Sequence, residues 1–203
     1  NFRMRNYGKA GFDRTHNVAI FYDYKLPDFI RGKSFARWVF NGWEVSGITS
    51  FISGAPSGIG YSFVVATDIT GASGAGIDSR VNLTGNPNLP KSERTIYRHF
   101  RTEVVRPPDA ANFGIGNAPK DPIRGPGVNN WDISVFKNFR LGEGERRLQF
   151  RWEMYNAFNH TQFSGVNTAA RFDAQGNQVN ARFGEYTAAR DARRIQAALK
   201  FYF

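Results

Sequence analysis

Residues 194–203 read Arg-Ile-Gln-Ala-Ala-Leu-Lys-Phe-Tyr-Phe. Successive side chains of an extended strand point to opposite faces. Ile195, Ala197, Leu199, Phe201 and Phe203 therefore share one face, and Arg194, Gln196, Ala198, Lys200 and Tyr202 share the other. One face is apolar and the other is mostly polar, which is the pattern of a strand with a different solvent on each side.

The same alternation recurs upstream. In Asn17 to Leu26, Val18, Ile20, Tyr22, Tyr24 and Leu26 oppose Asn17, Ala19, Phe21, Asp23 and Lys25. From Gly42 to Ser53, Trp43, Val45, Gly47, Thr49 and Phe51 oppose Glu44, Ser46, Ile48 and Ser50. From Asn129 to Arg140, Trp131, Ile133, Val135 and Phe139 oppose Asn130, Asp132, Ser134 and Asn138, while Phe136 and Lys137 break the pattern. After the polar turn Leu141-Gly142-Glu143-Gly144-Glu145, Leu148, Phe150, Trp152 and Met154 oppose Gln149, Arg151, Glu153 and Tyr155. Five strands follow, over about residues 14–26, 42–53, 129–140, 146–158 and 192–203. Lys137 is expected near a membrane edge, where its stem can snorkel to water.

The connections alternate in length. Short ones span 27–40, through Arg31-Gly32-Lys33, and 141–145. Long ones, rich in Gly, Pro, Asn and Ser, span 54–128 and 160–190. An irregular segment of that size counts against a compact soluble domain. It suits a transmembrane β-barrel, which has short periplasmic turns and long extracellular loops. A short helix or hairpin is expected around Lys91 to Val105, and a flexible loop at Gly71 to Gly76.

Composition agrees. No run approaches the roughly 18 apolar residues of a membrane helix. The mean hydropathy of −0.47 is compatible with a barrel, in which every second residue faces a wet lumen. Aromatic residues make up 15%, with 19 Phe, a share that lipid faces and interfacial girdles would use. There is no cysteine, which excludes disulfides, thiol nucleophiles and cysteine-ligated metal. The net charge of +10 is spread singly along the chain, so nucleic acid is not an expected partner. The opening Asn1-Phe2-Arg3-Met4-Arg5 carries no initiator methionine or signal peptide, and the sequence reads as a fragment.

Two resemblances sharpen the picture. A terminal strand apolar at every second position and ending in Phe resembles the signal read by the barrel-assembly machinery, carried here by Ile195, Ala197, Leu199, Phe201 and Phe203. The second rests on a series of motifs: Phe12-Asp13-Arg14-Thr15-His16, Gly42-Trp43-Glu44-Val45-Ser46-Gly47, Gly116-Asn117-Ala118-Pro119 and Arg124-Gly125-Pro126-Gly127. It continues with Asn129-Asn130-Trp131-Asp132-Ile133-Ser134-Val135-Phe136-Lys137-Asn138-Phe139 and Glu153-Met154-Tyr155-Asn156-Ala157-Phe158-Asn159-His160-Thr161. The series resembles the closing strands of Oar-like TonB-dependent receptors, which often carry a carboxypeptidase-regulatory-like domain.

That resemblance implies an all-β, antiparallel transmembrane barrel of 22 strands with a plugged lumen, of which these would be about the last five. It implies a transporter moving a large solute across the outer membrane. The implied partners are outer-membrane lipid and lipopolysaccharide, the barrel-assembly machinery, and TonB and a plug domain encoded further N-terminal. Five strands alone would leave edges unpaired in lipid.

The expected site residues are structural. Trp43, Trp131, Trp152, Tyr22 and Tyr24 are assigned to the aromatic girdles, with Trp43 and Phe203 near the periplasmic boundary and Trp131 near the outer one. Asp23, Lys25, Glu44, Asp132, Arg151, Glu153, Arg194 and Lys200 are assigned to the lumen, with Arg151 expected to pair with a carboxylate on a neighbouring strand. No catalytic constellation or cofactor motif is read, and the chain is not expected to be an enzyme. His16, His99 and His160 lack metal-site spacing, although His16 and His160 could approach one another. Asn82-Leu83-Thr84 matches a glycosylation acceptor that a bacterial compartment leaves idle. Two other functions compete: a non-transporting surface or adhesion barrel whose loops bind a partner, and a soluble all-β binding module. The exposed apolar stripe argues against the last.

Overall fold

The computed structural model describes residues 6–32, 35–64, 79–108, 115–142 and 146–203. In chain order its elements are β1 (Asn17–Lys25), α1 (Phe35–Phe40), β2 (Trp43–Ile52), β3 (Pro56–Ser57), β4 (Gly60–Phe63), β5 (Asn82–Leu83) and β6 (Val105–Arg106). They continue with β7 (Ile123–Arg124), β8 (Val128–Arg140), β9 (Arg147–Tyr155), β10 (Phe163–Val166), β11 (Ala169–Phe172), β12 (Tyr186–Ala189) and β13 (Arg194–Tyr202). The chain divides into two compact units.

One unit, residues 16–52, 128–162 and 190–203, is a five-stranded sheet in the order β1-β2-β8-β9-β13. Every pair is antiparallel. All five long strands expected from alternation are present, each within a few residues of its expected bounds. The register carries one face across the whole sheet: Tyr24 pairs with Val45, Val45 with Val135, Val135 with Trp152, and Trp152 with Ala197. Because each partner lies directly opposite, the apolar set of one strand abuts the apolar set of the next. Phe136 and Lys137 do not interrupt the strand. Phe136 falls on the polar face and Lys137 on the apolar one, in unbroken register.

Gly47 sits on the apolar face opposite Tyr22. A Cβ there would lie 2.6 Å from the Tyr22 hydroxyl and 2.7 Å from its Cζ, and would also strike the Asp132 carbonyl. The tyrosine therefore covers a glycine that has no side chain to pack. Leu141 N donates to Arg146 O at 3.0 Å and closes the β8–β9 hairpin. Gly142 there has φ +78°, a backbone that glycine adopts without strain. Residues 143–145 of that turn lie outside the described residues.

The connection 27–40 is more than a turn. It contains α1, Phe-Ala-Arg-Trp-Val-Phe, which alternation alone did not reveal.

The second unit, residues 1–15, 53–127 and 163–189, corrects the expectation that the two long connections are irregular. Their described parts pack around one core of Ile59, Val81, Phe100, Val105, Ala118, Ile123, Ala170, Phe172 and Phe183. Short pairings hold it: β3 with β7, β5 with β6 and β10 with β12, all antiparallel, and β4 parallel to β11. The stretch from Lys91 to Val105 contains two 3-10 turns, Lys91–Glu93 and Thr102–Val104. The glycine run at 71–76 lies outside the described residues.

Motif residues act as cross-ties in this unit. Asn117 mimics a strand: its side-chain oxygen accepts from Leu83 N at 2.7 Å and its amide donates to Leu83 O at 3.1 Å. Arg124 donates to Gly54 O at 2.9 Å and to the Asp13 carboxylate at 2.5 Å. That guanidinium holds the Asp13 carboxyl below the usual carboxylate range.

Candidate functional site

The polar face of the sheet carries a connected network near the end formed by Lys25, Trp43, Arg140, Arg147 and Tyr202. Gln149 donates from its amide to Asn138 Oδ1 at 2.9 Å, and Arg151 Nε donates to Gln149 Oε1 at 2.7 Å. Arg151 Nη2 donates to the Tyr202 hydroxyl at 3.1 Å, and that hydroxyl donates to Gln149 Oε1 at 3.3 Å. The guanidinium of Arg151 lies 5.3 Å from the Phe136 ring centre, and that of Arg147 lies 4.4 Å from the Tyr202 ring centre. Ring faces attract cations and fix their orientation.

Arg151 thus takes neutral partners. Among the described residues it pairs with no carboxylate, contrary to expectation. The reason is register: its cross-strand neighbours are Phe136 and Ala198. The network borders an open cavity of about 900 Å³. Five basic side chains (Lys25, Arg37, Arg140, Arg147 and Arg151) line it against two acidic ones, Asp28 and Glu44.

The other lumen-assigned residues spread along the same face. Asp23 pairs with Ser46, and Glu44 sits between Lys25 and Phe136. Glu153 lies between Ser134 and Gln196, and Lys200 lies beside Gln149. Asp132 accepts from Asn156 N at 2.9 Å and anchors the turn after β9, where Asn156 and Asn159 have φ of 51° and 52°. Arg194 pairs with Asp191 at 2.7 Å on the surface. Asn138, Arg147, Gln149 and Tyr202 were not singled out from sequence. Their membership of the polar face was readable from alternation, but their mutual bonding depends on register.

The apolar face has aromatic clusters at both ends. At one end the Phe51 and Trp131 ring centres are 5.8 Å apart, Trp131 and Phe158 are 5.4 Å apart, and His160 stacks on Phe158 at 5.8 Å. At the other end Trp38 packs on Phe139 at 4.5 Å. There the Lys137 ammonium lies 5.2 Å from both the Trp43 and Phe139 ring centres and donates to the Asn41 carbonyl. Trp131 and Phe139 are eight residues apart on β8, about 27 Å along a strand. Tilted at about 40°, that gives roughly 20 Å of height, close to the ~25 Å apolar band of an outer-membrane barrel. Trp152, Tyr22 and Tyr24 lie on the same face, Trp152 between Val135 and Ala197 at mid-strand.

Ile195, Ala197, Leu199 and Phe201 pair with Met154, Trp152, Phe150 and Leu148, and so line the same apolar face. Phe203 stacks on Phe201 at 6.0 Å.

In the second unit His99 is buried, with 1% of its surface exposed. Its Nε2 meets the Arg124 carbonyl at 2.6 Å and its Nδ1 meets the Tyr186 hydroxyl at 2.8 Å. A carbonyl only accepts, so Nε2 carries the proton and Nδ1 accepts from tyrosine. Burial pushes the His99 pKa below its ordinary value and the Tyr186 pKa above. Tyr186 in turn stacks on Phe163, with ring centres 3.9 Å apart. His99 is therefore a fixed core residue.

A sheet with one largely apolar face, aromatic clusters at both ends of it and a hydrogen-bonded polar face has the composition of a transmembrane barrel wall. A family model for the outer membrane beta barrel domain matches residues 1–196. The chain belongs to that family, and this membership points to the outer membrane. No curated protein and no solved structure gave a match to it.

Proposed function

We propose that the chain forms part of a TonB-dependent transporter that moves a large solute across the outer membrane. The observation that carries the reading is the polar face. Its long side chains are bonded to one another, and cations predominate where they border an open cavity. The motif series described above supports the same reading. Among the described residues β1 and β13 each pair on one side only, and bilayer interiors do not tolerate open edges, so further strands would complete the wall, in the closed barrel of 22 strands that the resemblance implies. TonB, a plug within the lumen and the barrel-assembly machinery would be the protein partners, with phospholipid and lipopolysaccharide around the wall.

The competing reading is a surface barrel whose loops bind a partner. The packed core of the loop unit favours it, because an ordered head can present a fixed binding surface. One experiment separates the two. The full-length protein, extracted from outer membranes in mild detergent, is passed over immobilised periplasmic domain of TonB. Saturable retention supports energised transport. No retention, together with loss of cell adhesion on deleting residues 54–128, supports the adhesion barrel.

A further inference from the structure

The chain between Lys25 and Trp43 does more than reverse direction. Leu26 N already donates to Trp43 O at 2.9 Å, so the strands are paired up to this point and a tight turn would close them. The described residues between them, 26–32 and 35–42, are instead held by several hydrogen bonds. Asn41 accepts from Ile30 N at 3.1 Å and donates to Ile30 O at 2.8 Å. Trp43 Nε1 donates to Val39 O at 2.9 Å, and Asn138 N donates to Gly42 O at 2.9 Å. Gly42 has φ +78°, and a Cβ there would lie 2.6 Å from the Asn138 carbonyl, so only glycine fits.

This fixed segment buries none of the residues of α1. Phe29 is 66% exposed, Phe35 78%, Trp38 52% and Phe40 58%. Four large rings held outward would aggregate in water. Two of them are continuous with the apolar face of the sheet, because Trp38 packs on Phe139 and stacks with Phe35 at 6.1 Å. Exposed Arg31 accompanies the rings.

We propose that residues 26–32 and 35–42 form a membrane-interface anchor in the phospholipid leaflet. Phe29, Phe35, Trp38 and Phe40 enter the boundary between headgroups and acyl chains, and Arg31 meets lipid phosphates. An amphipathic segment of this kind lies in the plane of the interface, with its apolar side about 5–10 Å into the boundary. The anchor rests on the chain being an outer-membrane barrel wall, not on its being a transporter.

These 203 residues hold no cysteine, so within them each replacement gives a single spin-label site, and any cysteine elsewhere in the full-length protein is first changed to serine. Phe40→Cys and Phe35→Cys would be labelled in the full-length protein, in vesicles of phosphatidylethanolamine and phosphatidylglycerol. Leu199→Cys on the apolar face and Val179→Cys on an exposed loop serve as references. The readout is collision with dissolved oxygen, which concentrates in lipid, relative to a water-soluble nickel chelate. The expected oxygen-to-nickel ratio at both anchor sites lies well above that at Val179→Cys and below that at Leu199→Cys. A ratio equal to that at Val179→Cys overturns the anchor in favour of a water-exposed turn. Protection from both reagents overturns it in favour of a protein partner. Heat-modifiable migration in gels verifies that each labelled variant is folded, and the two independent sites guard against one failing to fold.

Discussion

Replacing Phe100 with alanine should loosen the loop unit and leave the sheet intact. The Phe100 ring is 1% exposed, meets Phe183 edge-on at 5.2 Å and lies in a core of few residues. Removing a buried phenyl ring costs about 3–5 kcal/mol through lost transfer energy and the cavity left behind. At about 1.4 kcal/mol per tenfold, the open population of the loop unit rises by roughly two to three and a half orders of magnitude. A typical domain has only ~5–15 kcal/mol in total, so most of the protection of this unit should disappear. The assay is limited proteolysis of intact cells displaying the protein, with heat-modifiable migration as the readout for the sheet. Phe100→Ala should be cut rapidly between residues 53 and 127 while remaining heat-modifiable. Val179→Ala, at a 47% exposed position of the same unit, should stay within about 0.5 kcal/mol of the parent. If Phe100→Ala is cut no faster than Val179→Ala, the nine core residues do not form a cooperative core and the reasoning fails.

Acidification should weaken the same unit. The folded pKa of His99 is depressed by burial, so above the ordinary value of about 6.5 both states are neutral and nothing is lost. Below it the unfolded chain takes up a proton that the folded one resists, and stability falls. Protease resistance should drop between pH 7 and pH 5.5, and His99→Gln should flatten that profile; an equal drop in the variant would assign it to other groups. Gly47→Ala should displace Tyr22 and cost about 1–3 kcal/mol by overpacking, read as a lower urea midpoint in vesicles. An unchanged midpoint would mean that the tyrosine moves aside freely. Arg151→Met should cost about 1–3 kcal/mol by removing the donor to the Tyr202 hydroxyl and one of the two donors to Gln149 Oε1. The double variant Arg151→Met/Gln149→Leu should be less than additive, and strict additivity would dissolve the network.

The sheet was legible because its information is local. Period-two alternation survives in each strand by itself, and Phe136 and Lys137 break it in polarity without breaking the register. α1 was not legible because six residues with rings at Phe35, Trp38 and Phe40 are too few to establish a helical period. The loop core was hidden for a different reason. Ile59, Val105 and Phe172 come from segments far apart in sequence, each too short to show a pattern, and they become a core only by meeting. The polar face was foreseen as a list of charges, but the choice of Gln149 and Tyr202 over a carboxylate as partners of Arg151 depends on which residue stands opposite which.

The parallel pairing of Gly60–Phe63 with Ala169–Phe172 ties together two connections that leave the sheet at different points along the chain. The first cannot complete its pairing alone, because Gly60–Phe63 finds its partner only when the residues after β9 have been synthesised and exported. Nor can either diverge freely. A change in the length or apolar content of one is felt by the other, so the two connections should be inherited, exchanged and remodelled as a single piece.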